Sequence, residues 1–211
     1  MAKRSLKERK ADTIRRINEA AKEVFAEVGF EGARIDEIAK RAGVNKAMIY
    51  YRGGDKVSLY AGIIHEVFSE TLGRIVKEVG EGKGPEDKLR TYIHNLSMTV
   101  EKHPYVPSIM LRELASGATN LPSIAQKDIV RLLGIITEIF EEGAKRGGFR
   151  RANPLIVHTM IVGGILLFSR LQSVSPKIGG LPKRTKELIG TDSKDVADRV
   201  TELVLRAVRR D

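Results

Sequence analysis

From Asp12 onward the apolar residues Ile14, Ile17, Ala21, Val24, Phe25 and Val28 recur at helical spacing, and Gly29 follows where a helix stop is wanted. The spacing predicts a first helix ending there. Ile35, Ile38, Ala39 and Ala42 predict a short second helix, with Asp36 and Glu37 in its first turn and Gly43 at its end. Asn45 is placed to cap a third helix that Gly53 and Gly54 terminate, and Asp55 to cap a fourth running through Leu59, Ile63, Val67 and Leu72. Three short helices thus precede a long one.

Glycines 80, 82 and 84 with Pro85 break the pattern. Apolar stripes resume over residues 86–103, about 106–116, 122–147, 154–173 and 194–210, with no strand alternation and no internal repeat. The Pro- and Gly-rich stretch from Ser175 to Gly190 reads as a mobile loop with at most a short turn of helix. The expected fold class is all-α with about nine helices.

Composition narrows the function classes. The 211 residues are 42% hydrophobic, enough for a real core, and contain no cysteine, so disulfides and thiolate chemistry are excluded. The basic start is followed by an amphipathic segment, so no signal peptide is expected and the cytoplasm is the expected location. The run from Pro154 to Phe168 falls short of the roughly 20 residues of a membrane-spanning helix and is expected to be buried, with no membrane partner. Net charge is +10, and residues 1–60 hold 14 Lys and Arg against 9 Asp and Glu. A basic surplus favours a polyanionic partner, although a solvated charged surface gives the same composition.

Three of the five tyrosines, Tyr50, Tyr51 and Tyr60, fall within eleven residues. Residues 34–52 have the size and punctuation of a helix-turn-helix. At 100° per residue Lys46, Ala47, Tyr50 and Tyr51 share one face of the third helix, and Ile49 lies on another. A small Ala47 lets the backbone approach DNA, Lys46 supplies charge, and tyrosine hydroxyls bond phosphate oxygens while their rings meet sugars or thymine methyls. Arg34, Arg52 and Lys56 flank this face as phosphate clamps, with Asn45 at the cap. The competing reading packs Tyr50 and Tyr51 into a small core against Phe25 and Phe30.

The stretch ARIDEIAKRAGVNKAMIYYRGGDKVSLY, preceded by INEAAKEVFAEVGFEG, resembles the DNA-binding domain of the TetR (tetracycline-repressor) family of transcriptional regulators over about residues 11–60. The resemblance implies a helix-turn-helix DNA-binding domain over residues 1–56, with a basic arm over 1–11. It also implies an effector-binding and dimerisation domain over 57–211, and a helix from residue 55 linking the two. It implies a homodimer on a palindromic operator in double-stranded DNA, released by a small-molecule effector. By position, Lys46, Ala47, Tyr50, Tyr51 and Arg52 fall on the family's recognition helix, Asn45 at its cap, Arg34 at the start of the second helix and Lys56 at the phosphate-contacting start of the fourth. Gly53 departs from the family, which usually has an apolar residue there, most often Phe. Arg34 stands near where Thr is common.

His94, Met98, Tyr105, Met110 and Phe140 are the candidate pocket residues, on helices able to surround a largely apolar cavity; ordinary core is their alternative. Ile161, Gly164, Ile165 and Phe168, with Val200 and Val204 of the last helix, are the candidate dimer interface; burial within one subunit is the alternative. No HExxH, GxSxG or paired metal-ligand spacing appears, so no enzyme activity, metal or cofactor is expected. Two other readings stay open: an architectural DNA binder without an effector, for which the tail Arg206, Arg209 and Arg210 adds charge, and a helical enzyme whose catalytic pair is dispersed in the sequence.

Overall fold

The computed structural model describes residues 6–210; residues 1–5 of the expected basic arm lie outside them. Ten α-helices are present among the described residues: α1 (Leu6–Gly32), α2 (Ile35–Ala42), α3 (Lys46–Gly53), α4 (Lys56–Gly80), α5 (Pro85–Lys102), α6 (Val106–Ala115), α7 (Ser123–Lys145), α8 (Pro154–Val174), α9 (Lys183–Ile189) and α10 (Ser193–Val208). One isolated bridge, Phe149 with Arg209, is the β-type pairing among them. The chain divides into two compact units. One comprises the chain up to Glu66 with Ser108–Ala125, the other Val67–Pro107 with residues from Gln126 onward.

In the first unit the local signals act as their chemistry dictates. Gly29 takes φ 73° and ψ 178°, leaving helical geometry inside α1 where the stop was expected. Gly43 is left-handed and its N–H returns to carbonyls at the end of α2, as a C-terminal cap requires. Asn45 Oδ1 accepts from the Ala47 N–H at 2.9 Å, which starts α3. Gly54 takes φ 75°, and Asp55 Oδ1 accepts from the Ser58 N–H at 2.7 Å to open α4. The Ser58 bonds, backbone first, hold the Asp55 carboxyl below its ordinary range.

The apolar faces then close on one another. Ile17, Ala20, Ala21, Val24 and Phe25 of α1 are buried with Ile35, Ile38, Ala39 and Ala42 of α2 and Ile49 of α3. Phe25, Phe30 and Tyr60 form a ring cluster, Tyr60 lying 4.8 Å from Phe25 and 5.0 Å from Phe30 between centroids. From α6, Glu113 accepts the Tyr60 hydroxyl and Arg112 donates to the Glu27 carbonyl at 2.6 Å.

In the second unit α5 is central. Leu89, Tyr92, Ile93 and Val100 are buried, with α8 and α10 packed on it. The buried stripe of α10 is Ala197, Thr201, Val204, Leu205 and Val208. Ser97 Oγ donates to the Ser193 carbonyl at 2.9 Å, and Arg150 N–H to the Val208 carbonyl at 2.7 Å, fixing the two ends of α10. A polar seam joins the second part of α4 to α5. Arg74 donates to Asn95 Oδ1 and Thr99 Oγ1, Asn95 Nδ2 donates to Glu78, and the Thr71 and Thr99 hydroxyls meet at 2.8 Å. The stretch expected to be a mobile loop contains a 3-10 turn, Ser175–Lys177, and the seven-residue α9. Gln172 Nε2 of α8 donates to the carbonyls of Ile189 and Thr191, and Ile189 is buried, so tertiary contacts organise a segment whose Pro and Gly content suggested a loop.

Candidate functional site

The third helix divides cleanly. Ile49 is fully buried, whereas Lys46, Ala47, Tyr50 and Tyr51 are exposed, the two tyrosines by 51% and 79%. The core reading of Tyr50 and Tyr51 therefore fails, and the ring that does pack on Phe25 and Phe30 is Tyr60, 1% exposed. A hydroxyl on an exposed ring is free to meet a phosphate, and the flat face of that ring a sugar or thymine methyl.

Three of the cations around this face, Lys46, Arg52 and Lys56, are held, each in its own way. Lys46 Nζ lies 2.9 Å from Asp36 Oδ1, and that hydrogen bond raises the ammonium pKa, with the Asp36 charge and Tyr50 acting in the same direction. Arg52 donates to Met48 Sδ at 3.2 Å and lies 5.7 Å from the centroid of Tyr51, so it supports that ring from the end of α3. Arg34 occupies the N-cap position of α2, exposed, with no cap bond from its side chain. Lys56 is turned inward. Its ammonium donates to the carbonyls of Phe30 at 3.0 Å and Ala33 at 3.3 Å and sits 4.4 Å from the Phe30 ring, so in place of a free phosphate clamp it binds the carbonyl-rich exit of α1.

Gly53 leaves no hole. A Cβ there would meet Leu59 Cδ1 at 3.6 Å and the Cγ2 atoms of Ile17 and Ile49 at 3.9 Å, so aliphatic side chains occupy the place of the missing ring. Behind the face, Arg41 makes a bidentate pair with Glu27 at 2.7 and 2.8 Å and bonds Glu37 at 2.8 Å. These bonds lower Glu27 and hold Arg41 above its ordinary range. Arg16 donates to the Ala42 carbonyl at 3.0 Å, tying α1 to the end of α2. Sequence reasoning missed Asp36, Arg41 and Arg16 as partners, because each acts across a turn or between helices.

The candidate pocket residues are divided between the two units. Met110 belongs to α6 in the first unit and is half-buried. In the second unit His94 lies 3.1 Å from Asp198, Tyr105 bonds His103 at 3.3 Å, and Phe140 packs on Phe149 at 5.5 Å. Met98 is 47% exposed, because it sits on the side of α5 opposite the buried Leu89, Tyr92 and Ile93. A polar contact that the sequence reading overlooked lies there: the hydroxyl of buried Tyr92 is 2.9 Å from Nδ1 of half-buried His158 and 3.3 Å from the Leu132 carbonyl. Burial pushes the Tyr92 phenol up and the His158 imidazole down.

The expected dimer residues also divide. Ile161, Ile165 and Val204 are buried within the chain, as the α5, α8 and α10 contacts demand, so they are not presented to a partner. Phe168 and Val200 are half-buried and Gly164 is exposed. The outward apolar side chains include Ile156, Met160 and Leu167 of α8 and Leu203 of α10, with Met160 67% and Leu203 68% exposed. A Cβ at Gly163 or Gly164 would meet nothing within 4 Å, so this surface is open along its glycines. Pro154–Lys177, 24 residues, is long and apolar enough to cross a membrane, longer than the 15-residue run read from the sequence because the helical path continues past Phe168.

Residues 17–63, which contain this helix-turn-helix, match the family described as bacterial regulatory proteins, tetR family. The chain is 28% identical over 155 residues to the HTH-type transcriptional repressor NicS of Pseudomonas putida, covering 70% of this chain and 71% of that protein. It is 24% identical over 135 residues to the HTH-type transcriptional regulator RutR of Escherichia coli, covering 64% of this chain and 63%, under two thirds, of RutR. The fold is similar to that of the ketosteroid transcriptional regulator KstR2 of Mycobacterium tuberculosis, with a TM-score of 0.75 at 18% identity over 93% of this chain and 96% of that one. The head over residues 17–63 is therefore a DNA-binding domain of the tetR type found in bacterial regulatory proteins, on a chain similar in sequence to HTH-type regulators and repressors.

Proposed function

We propose that this protein is a cytoplasmic transcriptional repressor that binds a palindromic operator as a homodimer and is released by a small, largely apolar ligand. The observation that carries the DNA half is the exposed face of α3, where Tyr50 and Tyr51 project beside Lys46 and Ala47 while Ile49 anchors the helix. Lys46 and the tyrosine hydroxyls meet phosphates, and Ala47 allows close approach to base edges. Arg34 flanks the face, Arg52 holds the Tyr51 ring, and Asn45 and Lys56 contribute by fixing the ends of the helices. Residues 1–56 act as the DNA-binding domain and 57–211 as the effector-binding and dimerisation domain, linked by α4.

The outward apolar side chains of α8 and α10 support a second copy of this chain as their cover, in preference to a membrane. Two heads related by a two-fold axis then meet successive major grooves about 34 Å apart. A ligand that favours a DNA-incompetent arrangement weakens operator affinity by the coupling free energy, typically about 1–3 kcal/mol. The protein carries out no catalysis in this reading.

Selection of bound genomic fragments tests the proposal, followed by a screen for small molecules that release the best palindrome. Tyr50→Phe and Lys46→Ala are expected to weaken that complex; unchanged affinity in both overturns the role of α3. A sequence-indifferent affinity that collapses with salt, in place of a specificity ratio of about 10³ or more, identifies an architectural DNA binder instead.

A further inference from the structure

We propose that Asp36 is a specificity-determining residue of the DNA interface: a carboxylate that holds Lys46 in the free protein and selects against DNA that offers only phosphates. The inference rests on the reading of α3 as the recognition helix. Asp36 lies in the first turn of α2 and Lys46 opens α3, and the turn at Gly43 brings them together across ten positions. The ammonium sits 2.9 Å from Oδ1 and 3.0 Å from Oδ2, held by both carboxylate oxygens.

This pair is not scaffolding. The two side chains are 71% and 47% exposed, and such pairs contribute little to folding. The arrangement of α2 and α3 is provided instead by the Gly43 turn, the Asn45 cap and the buried Ile38, Ala39 and Ile49. The neighbouring carboxylate, Glu37, is turned to Arg41 at 2.8 Å, so Asp36 is the acid that faces the reading helix.

A phosphate drawn to Lys46 must therefore approach a like charge about 3 Å from the same ammonium. Non-specific binding consists almost wholly of phosphate neutralisation, so Asp36 opposes it directly. A base edge is different, because the exocyclic amino group of cytosine or adenine donates to a carboxylate. At a fitting sequence Asp36 gains a donor while Lys46 turns to the backbone; at other sequences it gains only the repulsion.

The test compares the full chain with its Asp36→Asn variant on two labelled duplexes of equal length, the best genomic fragment and a scrambled copy, between about 50 and 200 mM salt. Asp36→Asn is expected to raise affinity for the scrambled duplex roughly two- to fivefold. Its salt slope there should steepen by about one ion, and the specificity ratio should fall at least as far. In a Lys46→Ala background the steepening should vanish. An unchanged ratio, an equal gain on both duplexes, or the same steepening without Lys46 overturns the role of Asp36 while leaving α3 as the reading helix. Failure of the wild-type chain to bind any duplex overturns both. Equal melting temperatures for Asp36→Asn and wild type are the expected control; a large loss of stability makes the residue structural and overturns the proposal.

Discussion

The Tyr60 hydroxyl donates to Glu113 Oε1 across 2.7 Å, joining side chains 53 positions apart that are both almost wholly buried. Burial, reinforced by Glu113, holds the phenol well above its ordinary range, so its proton stays available to the carboxylate. The second carboxylate oxygen, Oε2, is buried with no hydrogen-bond partner among the described residues. Tyr60→Phe removes the donor and is expected to destabilise the first unit by about 1–3 kcal/mol. Adding Glu113→Gln should recover part of the loss, because it removes the charge left without a donor. Urea denaturation of the single and double variants checks both; equal midpoints for Tyr60→Phe and wild type would refute this account.

Lys56 is expected to stabilise the head in the absence of DNA. Its ammonium donates to two carbonyls at the exit of α1 and covers the Phe30 ring, contacts that a phosphate clamp does not need. Lys56→Met should lower stability by about 1–2 kcal/mol through the lost charge-assisted bonds. Thermal melts of the DNA-free protein distinguish this from a role confined to the complex, which predicts no change.

Two glycines should respond oppositely to the same substitution. A Cβ at Gly143 would lie 2.2 Å from Phe149 Cδ2, against a ring that is itself buried, so Gly143→Ala is expected to cost about 1–3 kcal/mol. Phe149→Leu should relieve part of that clash. At Gly53 the same methyl meets Leu59, Ile17 and Ile49 at ordinary contact distances, and Gly53→Ala should be neutral or stabilise by about 0.4–1 kcal/mol. Gly53→Phe, by contrast, must displace Leu59 and should destabilise. Calorimetric melting temperatures rank the variants.

His158 should give the protein a stability loss on mild acidification. Burial lowers its folded pKa below the ordinary value of 6.5. Its contribution is therefore present above about pH 6.5 and is lost as pH falls from there through the folded pKa, because the unfolded imidazole takes a proton first. The slope from this residue is bounded by one proton, about 1.4 kcal/mol per pH unit. Urea midpoints measured from about pH 7.5 down to 5.5 should fall for wild type and hold nearly level for His158→Gln. The lowered carboxylates Glu70, Glu86 and Glu142 act in a separate, more acidic window, below about 4.5.

The exposed face of α3 was legible because its signals are local. The cap by Asn45, the left-handed Gly43 and Gly54, and the placement of Lys46, Ala47, Tyr50 and Tyr51 on one side of α3 all depend on residues within a few positions of one another. The inward and outward sides of the candidate dimer helices were less legible. Residues 160–168 are apolar almost all round, so the pattern alone carries no inward direction, and only packing on α5 and α10 sends Ile161 and Ile165 in and leaves Met160 and Leu167 out.

The sequence by itself determined where α2 ends and where α3 and α4 begin, because those termini satisfy their own backbone groups with residues nearby in the chain, whereas α1 begins at Leu6, ahead of the expected Asp12, and runs past the Gly29 kink to Gly32. It also carried the match of the head to the tetR family, through motifs that lie within a single stretch of chain. The tertiary structure decided which tyrosine enters the core, that Asp36 meets Lys46, that Lys56 turns to the end of α1, and that Glu113 of α6 receives the Tyr60 hydroxyl. Those pairings join segments 10 to 53 positions apart. Their geometry follows from how the helices pack, which no local pattern contains.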